Sequence, residues 1–152
     1  MMTTAVRWFA GFVAGVALGV SAAQAIELVS LQEQQASWSA PESLSPKTSP
    51  TAGAPLIDIV EPRTGSAITS PTSIQLVFQA SAPSAVRPET FKVLYGRLRL
   101  DITQRLLGAA SITAQGIAVK AASLPKGSHR LLLSIEDSLG RQGHRQFDFE
   151  VN

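Results

Sequence analysis

Between residue 56 and its last residue, the chain alternates apolar and polar residues with a period of two in several short runs. The clearest run, "RQFDFEV" at residues 145–151, places Phe147, Phe149 and Val151 on one side of an extended backbone and polar residues on the other. A strand with this pattern buries one face and exposes the opposite one. The chain is therefore restricted to folds in which strands cover a core with one face.

Other runs carry the same signal and are separated by Pro, Gly and Ser residues typical of turns. The inward parity changes at Gly96, which predicts a bulge or a turn there. About seven such strands in about a hundred residues indicate an antiparallel β-sandwich, with one possible helical turn at residues 101–111. The residues predicted to face inward in these other runs are Ile74, Leu76, Phe78, Ala80, Phe91, Val93, Tyr95, Leu98, Leu100, Ile102, Ile117, Val119, Ala121, Leu131, Leu133 and Ile135.

The first residues, "MMTTAVRWFAGFVAGVALGVSAAQA", have the features of a secretory signal peptide. A positive start at Arg7 precedes an apolar run at residues 8–20, and Ala23-Gln24-Ala25 is a small-x-small cleavage site. Residues 1–25 are predicted to be removed after Ala25, which gives an exported protein, periplasmic or secreted, without a membrane span in the mature chain. The alternative is an uncleaved anchor, although the apolar run is short for a membrane span.

Residues 26–54 are predicted to be a flexible Pro/Ser-rich segment ahead of a domain at residues 55–152. Four prolines lie within "ASWSAPESLSPKTSPTAGAP", and this composition cannot bury enough apolar surface to fold. The preceding stretch, residues 26–35, is too short to be a stable helix alone. Trp38 in this segment is a candidate contact residue for a partner, because indole combines a large apolar surface with one polar atom.

The chain contains no cysteine, and its formal net charge is only +2. An exported chain without cysteine holds its core without disulfides, and it cannot be a thiol enzyme, an iron–sulfur protein or a cysteine-ligated zinc protein. The 13 basic and 11 acidic residues form no polybasic run, so nucleic acid is not expected as a partner.

Two stretches of residues 55–152 resemble bacterial immunoglobulin-like modules. "EPRTGSAITSPTSIQLVF" is similar to their opening turn and strand, and "LPKGSHRLLLSIEDSLGR" to their later strand and D-x-x-G turn. The resemblance implies an all-β, immunoglobulin-like sandwich that binds or spaces other molecules, and it transfers no catalytic residue. Related periplasmic copper carriers bind copper through an N-terminal histidine and a D-G-H turn, whereas this sequence has Ile26 and Asp137-Ser138-Leu139-Gly140 at those places.

The stretch 135–151 holds the residues that could form a metal or catalytic site. His129 and His144 have opposite strand parity, so no metal site is expected, and no other cofactor is expected either. Asp137, Gly140 and Gly143 are instead predicted to shape a turn. The chain lacks the G-x-S-x-G elbow of hydrolases, and no catalytic residue is assigned.

One possible interaction face consists of Arg97, Arg99 and Asp101, which share outward parity. Guanidinium groups suit carboxylate or phosphate ligands, while the alternative is a solvated strand face whose charges protect a sheet edge. The sequence as a whole favours a non-enzymatic, exported immunoglobulin-like module that contacts an envelope protein or polymer. A periplasmic copper carrier and a membrane-anchored accessory subunit remain the alternatives, and the oligomeric state is not predicted.

Overall fold

The computed structural model describes residues 25–42, 51–63 and 65–152, so almost all of the predicted signal peptide lies outside the described residues. This part of the chain forms short strands and two short helices. In chain order the elements are β1 (Ile26–Glu27), α1 (Leu31–Ser39), β2 (Leu56–Glu61), β3 (Thr72–Gln79), β4 (Val86–Tyr95), β5 (Leu100–Asp101), α2 (Thr103–Ala109), β6 (Ile112–Thr113), β7 (Gly116–Ser123), β8 (Gly127–Asp137) and β9 (Gln142–Val151).

The strands form two sheets. One has the order β1-β7-β3-β2, with β6 also paired to β7, and the other has the order β5-β4-β8-β9. Neighbouring strands are antiparallel, except that β1 runs parallel to β7. The predicted all-β class is therefore confirmed.

Side chains from both sheets fill one core between them. Phe78 of β3 and Phe91 of β4 meet across the two sheets with their ring centroids 5.4 Å apart. Phe147 is buried as its alternation predicts, and most of the other predicted inward residues are buried as well. Ala122 rather than Ala121 is the fully buried alanine of β7.

The predicted inward direction is wrong for Leu98 and Leu100, whose exposed fractions are 58% and 37%. The change of inward parity expected at Gly96 is produced by a turn, in which the Arg99 amide donates to the Gly96 carbonyl at 3.3 Å. The chain leaves the core there and returns only at Ile102, which is buried. The possible helical turn in this region is α2.

Within the segment 26–54, which is expected to be flexible, residues 26–42 are instead ordered against the domain. Ile26 pairs with Ala122 of β7, and the Leu28 amide donates to the Ser123 carbonyl at 3.1 Å. Leu28 and Val29 are each only 1% exposed and belong to the core. Residues 26–42, called the N-terminal segment from here on, therefore dock on the domain, whereas residues 43–50 lie outside the described residues.

Helix α1 begins with a capping box. The Glu33 amide donates to the Ser30 hydroxyl, and the Ser30 amide donates back to the Glu33 carboxylate, which satisfies two amides at the helix start. Arg105 of α2 binds both carboxylate oxygens of Glu33, at 2.7 and 2.8 Å. The bond from Arg105, followed by that from the Ser30 amide, lowers the pKa of Glu33 to about 2. The two helices are thus tied together.

The face of α1 that meets the domain is polar. Gln34 donates its side-chain amide to the Lys126 carbonyl at 3.0 Å, and the Ser37 hydroxyl accepts from the Arg97 amide at 2.7 Å. Both side chains are buried. The helix therefore docks by satisfying backbone groups of two loops rather than by burying an apolar stripe.

Candidate binding groove beside Trp38

The turn between β8 and β9 contains two of the three residues expected to shape it. The buried Asp137 carboxylate accepts from the amides of Leu139 and Arg141, at 3.0 and 2.9 Å, and from the Arg141 guanidinium at 2.8 Å. Gly140 has a φ of +75°, a conformation that side chains disfavour. Burial alone raises the pKa of Asp137, but the bonds from Arg141 and Leu139 outweigh it and hold the pKa below the usual value.

Gly143 lies in β9 rather than in the turn, and its φ is not positive, which corrects its expected role. A Cβ at this position would overlap the backbone carbonyl of Pro55. The glycine is therefore required by the close approach of the segment that leads into β2.

The two histidines face opposite sides of the sheet. His129 is 1% exposed, and its Nε2 lies 2.7 Å from the Pro125 carbonyl, which can only accept a hydrogen bond. In the neutral ring Nδ1 then accepts from the Tyr95 hydroxyl at 2.9 Å, so both nitrogens are engaged. Burial lowers the pKa of His129, and it raises the pKa of Tyr95 to about 12.

His144 is exposed and pairs with Ser134 on β8, several residues away from the pair His129 and Phe149. Among residues 25–42, 51–63 and 65–152, no group of three or more His, Cys, Asp or Glu side chains could hold a metal ion.

Arg97, Arg99 and Asp101 do not share one strand face, because the turn after Gly96 separates them. Arg97 packs its guanidinium over the Trp38 ring, 5.0 Å from the centroid, and donates to the Trp38 carbonyl at 3.1 Å. Arg99 lies in the turn with a φ of +51°. Asp101 accepts from the Thr103 amide at 2.9 Å at the start of α2. Two of the three residues therefore stabilise neighbouring elements.

Trp38 is held in one orientation at the end of α1. Its indole nitrogen donates to the Ser128 carbonyl at 2.8 Å, while the Arg97 guanidinium lies over the ring. The side chain is still 38% exposed. A fixed aromatic ring with an accessible surface can contact a ligand at a small cost in conformational entropy.

The exposed part of Trp38 forms one wall of an open groove of about 580 Å³ at the end of the domain where β8 begins and β9 ends. His129 and Phe149 also line it, and their rings stack with centroids 5.3 Å apart. The polar and charged side chains that line the groove are Arg63, Ser66, Ser128, Arg130, Asp148, Glu150 and Asn152. A volume of this size is within the range of about 300–1,000 Å³ typical of small-molecule sites.

Two of the charged groups in this groove, Arg130 and Asp148, form an ion pair. Arg130 donates to Asp148 at 2.6 Å and to Glu42 at 2.9 Å, and these bonds raise the pKa of Arg130. Burial tends to raise the pKa of Asp148, but the bonds from Arg130 and Gln146 outweigh it and lower the pKa. Two arginines and two carboxylates line the groove, and Glu42 adds a third carboxylate beside it through its bond to Arg130.

Trp38 stood out in the sequence as a candidate contact residue, but the rest of the groove did not. The pattern Ser30-x-x-Glu33 is a capping-box signature that predicts the start of α1. No comparable local signal marks Arg130 and Asp148, because they meet through the pairing of β8 with β9.

A scan against protein-family models and searches of curated proteins and of solved structures found no match. Within the described ranges, no helix is both long enough and apolar enough to cross a membrane. The described part of the chain is an all-β domain of two sheets with a groove beside Trp38.

Proposed function

We propose that the chain is an exported, non-enzymatic, immunoglobulin-like module that binds a component of the cell envelope through the groove beside Trp38. Export is inferred from the signal-like residues 1–25, and the immunoglobulin-like topology from the turn and strand motifs together with the two-sheet architecture. The observation that carries the proposal is the fixed but accessible indole of Trp38 in the groove wall.

A binding role suits the state of the ionisable groups around Trp38. Arg130 and Asp148 are engaged with each other, which favours their charged forms at neutral pH. His129 has both ring nitrogens in hydrogen bonds, and its pKa is lowered. Catalytic acids and bases need pKa values near the working pH and access to a substrate proton. These groups are better suited to hold a ligand than to exchange protons with it.

The proposal is tested by co-sedimentation of the chain comprising residues 26–152 with a washed, insoluble envelope fraction. We expect the wild-type chain to sediment with the envelope in a saturable manner. Trp38→Ala should abolish most of this binding, because it removes the exposed ring from the groove wall. Glu150→Lys changes the groove at an exposed strand residue and should also weaken the binding.

Leu139→Ala is the matched control, because Leu139 is exposed in the β8–β9 turn and does not line the groove. Circular dichroism would verify that each variant is folded. Wild-type binding that is unchanged in folded Trp38→Ala and Glu150→Lys variants would contradict a role for this groove.

A further inference from the structure

The groove combines one exposed aromatic side chain with several hydrogen-bonding side chains, of which Arg130 and Asp148 form an ion pair. Trp38 is the only exposed large apolar side chain of the described residues that lines it. The hydrogen-bonding groups include both donors and acceptors, on guanidinium, carboxylate, hydroxyl and amide side chains. A ligand that fits must therefore offer one flat apolar face and many hydroxyl-like groups around its edge.

We propose that the groove binds a neutral glycan, in which the face of one pyranose ring stacks on Trp38 while its hydroxyls bond to Arg130, Asp148 and Glu150. This inference rests on the proposed function and specifies its ligand class. A pyranose ring carries C–H bonds on its flat faces and hydroxyls at its edge, so it matches the aromatic wall and the polar groups together.

The rigidity of Trp38 supports stacking. The bond from the indole to the Ser128 carbonyl fixes the ring plane, and the Arg97 guanidinium packs on the ring without lining the groove. The ring is thus oriented before a ligand arrives. Such preorganisation reduces the ordering cost of binding.

The Arg130–Asp148 pair supports a hydroxyl-rich ligand. A hydroxyl group donates one hydrogen bond and accepts others, so neighbouring hydroxyls can donate to the Asp148 carboxylate and accept from the Arg130 guanidinium. The Asp148 side chain is 52% exposed and the Arg130 side chain 30%. Each Asp148 oxygen accepts one bond, from Arg130 or from Gln146, and a carboxylate oxygen can accept a second one. Hydrogen bonds that involve charged groups are stronger than those between neutral groups.

The mixture of charges favours a neutral ligand. Among the lining residues, Arg63 and Arg130 are offset by Asp148 and Glu150, and Glu42 adds a carboxylate beside Arg130. A polyanion would meet two carboxylates and a polycation two guanidinium groups, so neither gains a field of one sign.

Tryptophan fluorescence reports directly on this site. The chain has two tryptophans, and Trp8 lies in the predicted signal peptide, so residues 26–152 contain Trp38 alone. Titration with cellohexaose and chitohexaose should change the Trp38 emission in a saturable manner with at least one of these neutral hexasaccharides, since stacking displaces water from the ring. Heparin at the same concentration should produce no saturable change.

Asp148→Asn and Glu150→Gln should each weaken the binding about tenfold, since a hydrogen bond to a charged group contributes about 1.5 kcal/mol or more. Glu89→Gln is the matched control, because Glu89 is an exposed carboxylate outside the groove. Its affinity should equal that of the wild type. Unchanged melting temperatures would separate lost contacts from lost structure.

Saturable binding of a neutral hexasaccharide that both groove variants weaken supports the glycan proposal. Unchanged Trp38 emission with both hexasaccharides, or saturable binding of heparin alone, overturns it. The envelope co-sedimentation distinguishes a failure of the glycan proposal from a failure of the proposed function. If Trp38-dependent sedimentation disappears after protease treatment of the envelope, the chain is an interaction module whose ligand is a protein and not a glycan. Loss of Trp38-dependent sedimentation altogether would remove the proposed function itself.

Discussion

Leu28→Ala is expected to destabilise the domain, although the residue lies in a stretch whose sequence predicts flexibility. Leu28 is 1% exposed, packs in the core and adjoins an apolar void of about 20 Å³ between the sheets. Replacing a buried leucine by alanine costs about 2–5 kcal/mol, and the cost is lower only where neighbouring side chains move into the new cavity. The side chains around Leu28 already leave a void unfilled, so we expect no such movement. For a chain of this size, a loss of about 3 kcal/mol lowers Tm by roughly 10 °C.

Leu31→Ala provides the control, because it is the same substitution three residues away at a side chain that is 60% exposed. Its free energy of unfolding should stay within about 0.5 kcal/mol of the wild type. Urea unfolding followed by circular dichroism, with wild type and both variants measured side by side, gives the two values. Equal stability of the two variants would show that the N-terminal segment does not complete the core.

Three further outcomes are expected. Phe147→Ala should lose about 3–5 kcal/mol of unfolding free energy while Gln146→Ala stays nearly neutral, and equal losses in urea unfolding would contradict the observed strand register. Gly143→Ala should lower Tm in a thermal melt, because the new methyl group overlaps the Pro55 carbonyl, and an unchanged Tm would contradict that close approach. The pKa of His129 is lowered in the folded state, so its contribution to stability is complete above its ordinary pKa of 6.5 and is lost as the pH falls below that value. The urea midpoint of unfolding should therefore drop between pH 7.5 and pH 5. A drop of the same size in the His129→Gln variant would show that another group causes it.

The sequence predicts the core strands well because the alternation of β8 and β9 is imposed by burial. Most inward residues of these strands, such as Leu133 and Phe147, are apolar because their positions are buried whatever their partners are. The buried polar exceptions in β8, His129 and Asp137, have their polar atoms engaged in hydrogen bonds. The same rule fails at Leu98, which lies in the turn after Gly96, and at Leu100, which lies in a two-residue edge strand; both side chains are exposed. Periodicity predicts where a strand can bury a face, but not where the chain leaves the core.

The docking of α1, which carries Trp38 of the groove, is harder to predict because its contacts are polar and distant in sequence. Gln34 and Ser37 lie on the docking face of α1, yet their partners are backbone groups far along the chain. A hydrophobic pattern cannot indicate such a face. The reason for Gly143 is equally non-local, since it depends on the path of the chain at Pro55.

The parallel pairing of β1 with β7 also restricts the order in which the domain can form. A ribosome releases the N-terminal residues first, but Ile26 has no strand to join until Ala122 has followed it. Leu28 and Val29 must stay outside any core during that interval. A nascent chain that stops before β7 would therefore present two unburied apolar side chains in its N-terminal segment, and exposed apolar surface of this kind favours aggregation. Closure of the core is delayed in this way until nearly the whole domain has been synthesised.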